Sequence, residues 1–244
     1  MVNRFNVSWI AITYNCNNKC SWCYSGSNIL SSKRILEKGR IGQVLDMISE
    51  LGIKRTILIG GEPTVYPYLS EILDGHKERK IQTGMVTNGR QLANPVFCEF
   101  LKKKGIDSLT VSLQGYNSET HDKATRINGS YEEAITGIRE ADVKGINVST
   151  NTVITNENSG DLEKILDSLS HTPISSISFN ICGPCLTDVQ NKKYILNPFS
   201  AAKSFERAYL YAKSKGKKIR LVTPIPFCFF DREIREEFKQ KKII

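Results

Sequence analysis

Long apolar runs are missing from this 244-residue chain. No stretch approaches the roughly 20 consecutive apolar residues that a membrane-spanning helix needs, so no membrane partner is expected. The N-terminus, Met1-Val2-Asn3-Arg4-Phe5, lacks the apolar core of a secretory signal, and a cytoplasmic home is the expectation. Low-complexity segments and close internal repeats are lacking too, which argues against linkers and solenoid arrays. An evenly spread cysteine framework is also absent. The cysteines number seven, and three of them crowd into Cys16–Cys23. A chain this long needs no disulfide scaffold, and free thiols in a reducing compartment suit metal binding.

Acidic residues are the scarcer charge, leaving a net charge of +9. The excess lysines are scattered, with short clusters at Lys102-Lys103-Lys104, Lys215–Lys218 and Lys239–Lys242. Such runs read as solvated faces or tails. No aromatic-interleaved basic motif accompanies them, so nucleic acid is not an expected partner. An acidic peptide segment stays open as one. With 40% hydrophobic residues, the chain can bury one large core.

Strand-like and helix-like segments alternate. Short β-branched runs fall at Ser8–Tyr14, Arg55–Ile59, Gln82–Thr87, Ser108–Leu113, Asn147–Ile154, Ser175–Ile181 and Lys218–Val222. Between them, Ile41, Val44, Leu45, Ile48 and Leu51 recur at the spacing of one helical face. Further helical stretches are expected at Tyr68–Arg79, Pro95–Lys104, Tyr131–Lys144, Asp161–Ser170 and Pro198–Lys215. Ser130 and Glu133 read as a capping box, and Asn197-Pro198 as an N-cap followed by proline at the first helical position. Alternation of this kind implies a parallel sheet with right-handed crossovers. An open doubly wound sheet and a β/α barrel both fit. Six strand–helix units plus a last strand fall short of a full eight-unit barrel, so a partial barrel is expected. Functional groups then gather at the C-terminal strand ends, where every unusual motif here falls.

The first such motif is Thr13-Tyr14-Asn15-Cys16-Asn17-Asn18-Lys19-Cys20-Ser21-Trp22-Cys23-Tyr24. Its Asn-Asn and Ser favour a loop, and three thiolates within eight residues can converge on a soft metal centre. A structural zinc wants four ligands, and no Cys or His follows at finger-like spacing. Zinc would need Cys182 or Cys185 to fold back. A cubic iron–sulfur cluster normally takes four cysteines, so three would leave one iron open for chemistry. Three buried apolar cysteines are the bland alternative. The second motif is Gly60-Gly61-Glu62-Pro63-Thr64, whose glycines permit close backbone approach and whose Pro63 pushes Glu62 towards an extended conformation. Backbone carbonyls and a carboxylate placed so suit a ligand's ammonium group. Thr87-Asn88-Gly89 reads as a turn closing the third strand.

Taken together, the three-then-two cysteine spacing with an aromatic before the last cysteine, Gly60–Pro63 and Thr87–Gly89 resemble the radical S-adenosylmethionine (SAM) superfamily. The stretch Val111-Ser112-Leu113-Gln114-Gly115, followed by Glu119-Thr120-His121-Asp122 and Arg126, is similar to one branch of it. That branch contains the molybdenum-cofactor cyclases and the SPASM peptide maturases. The resemblance spans residues 8 to 225 and implies an α/β fold, a partial (β/α)6 barrel. It implies a [4Fe-4S] cluster on Cys16, Cys20 and Cys23 whose open iron is chelated by SAM. One electron then breaks the sulfonium C–S bond, giving methionine and a 5′-deoxyadenosyl radical that abstracts a substrate hydrogen. An external donor such as flavodoxin or ferredoxin would supply that electron. By the same resemblance Gly60, Gly61, Glu62 and Pro63 bind the SAM ammonium group, Trp22 lies near the adenine, and Thr87 and Asn88 line the cavity. Ser112 meets the polar end of SAM, and Asn151 faces it. Gln114 stands where the branch has Asp, at a ribose or substrate contact. The substrate is expected to be a ribosomal peptide, with radical cyclisation or rearrangement of a small molecule as the alternative and a non-catalytic zinc- or iron–sulfur-binding protein as the reading from a different class.

Residues 1–225 are read as the core, and 226–244 as a tail or the start of an extension. Peptide-modifying relatives carry six or more further cysteines there, whereas this chain has only Cys228 beyond residue 185. Cys98, beside Val96, Phe97 and Phe100, reads as core. Cys182-Gly183-Pro184-Cys185 invites a thioredoxin reading, but it follows a strand and opens no helix. A second cluster, a redox or substrate-handling pair, and two residues packing a turn remain open for it. His121 and Arg126 are expected to brace a loop, with direct involvement in catalysis as the alternative.

Overall fold

The computed structural model describes residues 6–23, 35–183 and 189–241. Seven strands form one sheet in which every neighbouring pair is parallel and the spatial order equals the chain order. They are β1 Val7–Thr13, β2 Arg55–Gly60, β3 Gln82–Thr87, β4 Ile106–Ser112, β5 Asn147–Ile154, β6 Ser176–Ile181 and β7 Ile219–Leu221. The connecting helices are α1 Ile41–Glu50, α2 Leu69–Glu78, α3 Pro95–Lys103, α4 Ser118–Thr125, α5 Ser130–Val143, α6 Leu162–Ser168 and α7 Pro198–Ser214, with α8 Arg232–Lys241 after β7.

Strand alternation gives the sheet two unlike faces. Leu58, Met85, Leu109, Val148, Phe179 and Leu221 point to one side, where they join the helices in one apolar cluster. On α1 the contributors are Ile41, Leu45 and Ile48. Leu51 lies just past the helix end and is 58% exposed, so the apolar stripe stops one residue early. On the other side β4, β5 and β6 present mostly small or polar residues, Ser108, Thr110 and Ser112, Ser149 and Asn151, and Asn180, while β2 and β3 place Ile57, Ile59 and Val86 there. A doubly wound sheet carries helices and apolar side chains on both faces. Here the helices pack on one face and the order is sequential, which is the winding of a partial barrel with its polar face inward.

Three readings of the sequence need correction. Ser130 is not an N-cap: Gly129, at φ 81°, holds that position, and Ser130 is the first helical residue. Its hydroxyl instead bonds Asp122 at 2.8 Å and Thr125 at 2.6 Å, while Glu133 turns outward to Arg90. Helix α4 was not expected, because its stripe is too polar to show periodicity. It is fixed by a cap, in which Asn117 Oδ1 accepts from Thr120 N at 2.9 Å while the Thr120 hydroxyl accepts from Asn117 N at 3.3 Å. Helix α8 was missed as well, although Phe238 is only 1% exposed and stacks edgewise on Tyr209 of α7 at 4.8 Å. The expected N-cap at Asn197 is present, its Oδ1 accepting from Phe199 N at 2.8 Å.

Candidate active site

The loop after β1 lies across the C-terminal ends of the strands and is bonded on three sides. Gly61 N donates to Thr13 O at 2.7 Å and Glu62 N to Asn15 O at 2.8 Å. From the loop itself, Lys19 N reaches Thr125 O at 3.0 Å and Ser21 N reaches Ala124 O at 3.2 Å, at the end of α4. On the third side, Asn88 Nδ2 donates to Asn17 Oδ1 at 2.6 Å. Within this frame Cys23 sits near enough to Cys16 and Cys20 to raise the pKa of both electrostatically, and Cys16 adds to the effect on Cys20. Cys16 is open over much of its surface and Cys20 half-buried, yet desolvation by the surrounding protein pushes their thiols up to about 11 and about 12. Neither thiol has a cation bonded to it among the described residues. Among those residues, no three Cys, His, Asp or Glu side chains close on a single metal ion. The donor set is therefore soft, clustered and in need of positive charge, which fits an iron–sulfur cluster.

Both glycines of the Gly60-Gly61-Glu62-Pro63 turn are required by the chain itself. A Cβ on Gly60, at φ 148°, would lie 2.0 Å from Thr13 O, and one on Gly61 would lie 2.4 Å from Asn15 O. Their smallness lets β2 press against the cysteine loop. Glu62 is extended before Pro63, as the sequence implies. Its carboxylate does not stand open to a cavity: it is 1% exposed. Oε1 accepts from Thr64 N at 3.1 Å, Thr64 Oγ1 at 2.7 Å and Thr87 Oγ1 at 2.6 Å, and Oε2 accepts from Asn88 N at 2.6 Å. Burial nevertheless holds its pKa above the ordinary value, against those four donors. No cation pairs with it among the described residues, an unusual state for a buried carboxylate.

Ser112, the last residue of β4, is the register partner of Asn151 in the middle of β5, and both are half-buried on the helix-free face. Asn151 therefore points into the barrel and not onto a helix. Its Oδ1 accepts from Ser178 Oγ at 3.1 Å and from Asn180 Nδ2 at 3.3 Å. Gln114 is buried, and its Oε1 is taken by Val153 N at 2.9 Å. Trp22 and Gln114 share a hollow of about 60 Å³ with Tyr116, Thr155 and Asn158. That volume holds a water or two and no nucleoside. His121 Nδ1 accepts from Gln114 N at 3.1 Å, and Asp122 caps the start of α5 through Gly129 N at 2.6 Å and Tyr131 N at 2.9 Å. Arg126, at φ 58°, ends α4 and bonds Tyr194. These residues brace loops, as expected. Cys182 is buried at the end of β6; Pro184 and Cys185 lie outside the described residues.

Three residues at the site were not read from the sequence. Arg90 reaches from the turn after β3 to Asn17 O at 2.7 Å. Asn180 and Thr223 extend the Asn151 contacts to the β7 side, Thr223 Oγ1 donating to Asn180 Oδ1 at 3.2 Å. Their position within three residues of a strand end was the only available signal.

Similarity to known proteins agrees with this geometry. The chain is 32% identical over 165 residues to a probable GTP 3′,8-cyclase of Metallosphaera sedula, covering 65% of this chain and 50% of that protein. It is 25% identical over 240 residues to an AdoMet-dependent heme synthase of Methanosarcina barkeri, covering 97% of this chain and 66% of that one. Among solved structures, Streptococcus suis SuiB bound to SAM superposes with a TM-score of 0.74 at 20% identity, over 90% of this chain and 50% of SuiB. The anSMEcpe structure with bound AdoMet gives 0.74 at 15% identity, over 88% and 63%. The chain thus spans about half the length of the curated cyclase relatives it matches. The Radical SAM superfamily model matches residues 10–169, which hold the cysteine loop, the Gly-Gly-Glu-Pro turn and Asn151 alike, and the chain belongs to the radical SAM superfamily.

Proposed function

We propose that the chain is a radical SAM enzyme whose Cys16, Cys20 and Cys23 hold a [4Fe-4S] cluster, with SAM bound beside it over the strand ends. One observation carries the reading. The cysteine loop, the buried Glu62 carboxylate and Asn88 form a single hydrogen-bonded unit in which, among the described residues, no positive charge is bonded to the carboxylate or to the Cys16 and Cys20 thiols. An ammonium group next to Glu62 and a cluster on the thiols would each supply it. When bound, the cluster passes one electron from a donor of the flavodoxin or ferredoxin class to SAM. The chain's own residues do the rest. The Gly60–Gly61 backbone orients the ammonium end, Glu62 adds its negative charge from behind that turn while Thr87 and Asn88 fix it, and Ser112 and Asn151 offer polar groups to the remainder of SAM. Trp22 and Gln114 close the far side of the loop. The substrate then occupies the helix-free face, where hydrogen abstraction takes place.

A ribosomal peptide is the substrate we favour, supported by the fold shared with SuiB, whose structure is also known bound to its precursor peptide SuiA. A small molecule is the second reading, favoured by the sequence similarity to GTP 3′,8-cyclases. Anaerobic reconstitution tests the core claim. About four irons per chain, as in a single cubane, and 5′-deoxyadenosine on adding SAM and reductant are expected. Replacing all three cysteines by Ala should abolish both. Stoichiometric zinc without SAM cleavage would overturn the proposal, and turnover of GTP would replace the peptide reading with the small-molecule one.

A further inference from the structure

Arg90 is the one cationic side chain that donates a hydrogen bond to residues 14–23 among the described residues. It begins the 3-10 turn Arg90–Ala93, which Gly89 opens from the left-handed region at φ 81°. The side chain is 19% exposed. Its Nε ion-pairs with Glu133 of α5, and its Nη1 donates to Asn17 O at 2.7 Å, with Asn18 Oδ1 at 3.4 Å. The backbone N–H of Arg90 donates to Asn88 Oδ1 at 3.1 Å. Asn88 in turn holds Asn17 by its side chain and brings Nδ2 to 4.0 Å from Cys16 Sγ. Asn17 is thus gripped at both its carbonyl and its amide. Its neighbours are Cys16 on one side and Asn18 on the other, and Asn18 N donates to Cys16 Sγ at 3.3 Å.

An ion pair that merely knits α5 to a turn would leave the guanidinium engaged with Glu133 alone. Here the guanidinium is shared, Nε to the carboxylate and Nη1 to the peptide group next to Cys16. Groups behind a metal ligand both aim it and set the local field, and the potential of an iron–sulfur cluster responds to nearby charge and hydrogen bonding. Resting on the cluster assignment above, we infer that Arg90 is a positioning residue for that cluster. It sets Cys16 through Asn17, and its charge, partly offset by Glu133, favours the reduced cluster. That is the state from which an electron leaves for SAM.

Two substitutions separate this role from simple bracing. Arg90→Gln removes the cation, and the reduced-to-oxidised ratio at a fixed applied potential should fall about tenfold, which for one electron is about 59 mV towards negative potential. Glu133→Gln removes the offsetting anion and should move the ratio the other way. Arg90→Lys keeps the charge, so its ratio should stay within a few-fold of wild type. A bracing role would lower stability in all three variants and shift no potential in opposite senses. The potentials are read by EPR-monitored redox titration of the loaded chains. In the cluster-free chain, alkylation of Cys16, mapped by peptide mass spectrometry, should be several-fold faster in Arg90→Gln than in wild type. If Arg90→Gln does not fold, Glu133→Gln and Arg90→Lys still decide the point. Equal potentials in wild type and Glu133→Gln, or a shift of the same sign in both charge-removing variants, would overturn the inference while leaving the cluster in place. Failure of the wild-type chain to take up iron would instead overturn the cluster assignment, and this inference with it.

Discussion

The hydroxyl of Thr87, the last residue of β3, donates to Oε1 of Glu62, two residues past the end of β2, at 2.6 Å. That contact, with Asn88 N on the other carboxylate oxygen at 2.6 Å, ties the end of β3 to the turn after β2, to which the cysteine loop is itself bonded through Asn15 O. Gln at position 62 is isosteric but must direct an N–H₂ at one of these donors. With a charged acceptor lost and a donor facing a donor, the cluster-free chain should lose about 2–3 kcal/mol. Chemical denaturation of Glu62→Gln measures it. A midpoint equal to that of wild type would show that the carboxylate is not the node described here.

Gly61 makes a second, purely steric prediction. Its missing Cβ is what lets Asn15 O approach, at 2.4 Å from where that atom would be, whereas nothing lies within 4 Å of a Cβ on Gly160. Gly61→Ala must push the cysteine loop away from β2, at a cost of about 1–3 kcal/mol. Gly160→Ala serves as the control and should be close to neutral. In reconstitution, Gly61→Ala should hold less iron than Gly160→Ala. Equal loading and equal melting of the two variants would contradict the close approach.

His121 supplies a pH dependence. Burial is the main cause that drops its pKa to about 4, and its Nδ1 accepts from Gln114 N, so the neutral ring is the form the fold uses. A folded pKa below the unfolded value of about 6.5 means that the unfolded chain binds the proton first as the pH falls. The stabilising contribution is therefore complete above about pH 6.5 and lost towards pH 4. Its full size is about 3 kcal/mol at 1.36 kcal/mol per pKa unit. His76, buried with its pKa also lowered, acts in the same direction. Denaturation of wild type and His121→Gln across this range separates the two histidines. The gap between the chains should narrow steadily as the pH falls. A constant gap would mean that His121 does not carry the effect.

Residues with strong local chemistry were legible in the sequence. Asn197 before Pro198 capped α7 as expected, and Gln82–Thr87 and Asn147–Ile154 are strands over the residues anticipated. What escaped depends on tertiary contact. Helix α4 has a polar stripe, and its value to the site lies in the carbonyls of Ala124 and Thr125 that hold the cysteine loop. Helix α8 has few apolar residues, and only the pocket among Phe205, Tyr209 and Phe230 reveals what Phe238 is for. Glu62 was legible as a residue that matters, but its chemistry was not. Sequence places a carboxylate after Gly-Gly, and only the fold shows four donors already turned on it. Arg90 was invisible because an arginine after a turn looks like any surface cation until its partners are known.

Asn151 carries the last prediction. Asn180 Nδ2 donates to its Oδ1 at 3.3 Å, and Ser178 Oγ, whose one proton is shared with Thr150 O at 2.9 Å, lies 3.1 Å away, which fixes the amide so that Oδ1 faces β6. Asn180 is itself oriented, because its Oδ1 accepts from Thr223 Oγ1, whose oxygen in turn accepts from Ile181 N at 2.9 Å. The chain of donors runs in one direction, from the β6 backbone through Thr223 and Asn180 to Asn151. The group left over is Asn151 Nδ2, a donor on the helix-free face beside Ser112. It suits an acceptor on the ligand, such as a hydroxyl or carboxylate oxygen. Asn151→Asp keeps the acceptor towards β6 and replaces that donor with a negatively charged oxygen. SAM affinity of the loaded chain, read by titration calorimetry, should fall about tenfold or more, the loss of one hydrogen bond at about 1.5 kcal/mol. Asn180→Ala removes the group that orients Asn151 without touching the ligand side, so its loss should be smaller and of the same sign. Unchanged affinity in Asn151→Asp would remove Asn151 from the SAM site. A larger loss in Asn180→Ala than in Asn151→Asp would make Asn180 the residue that touches the ligand.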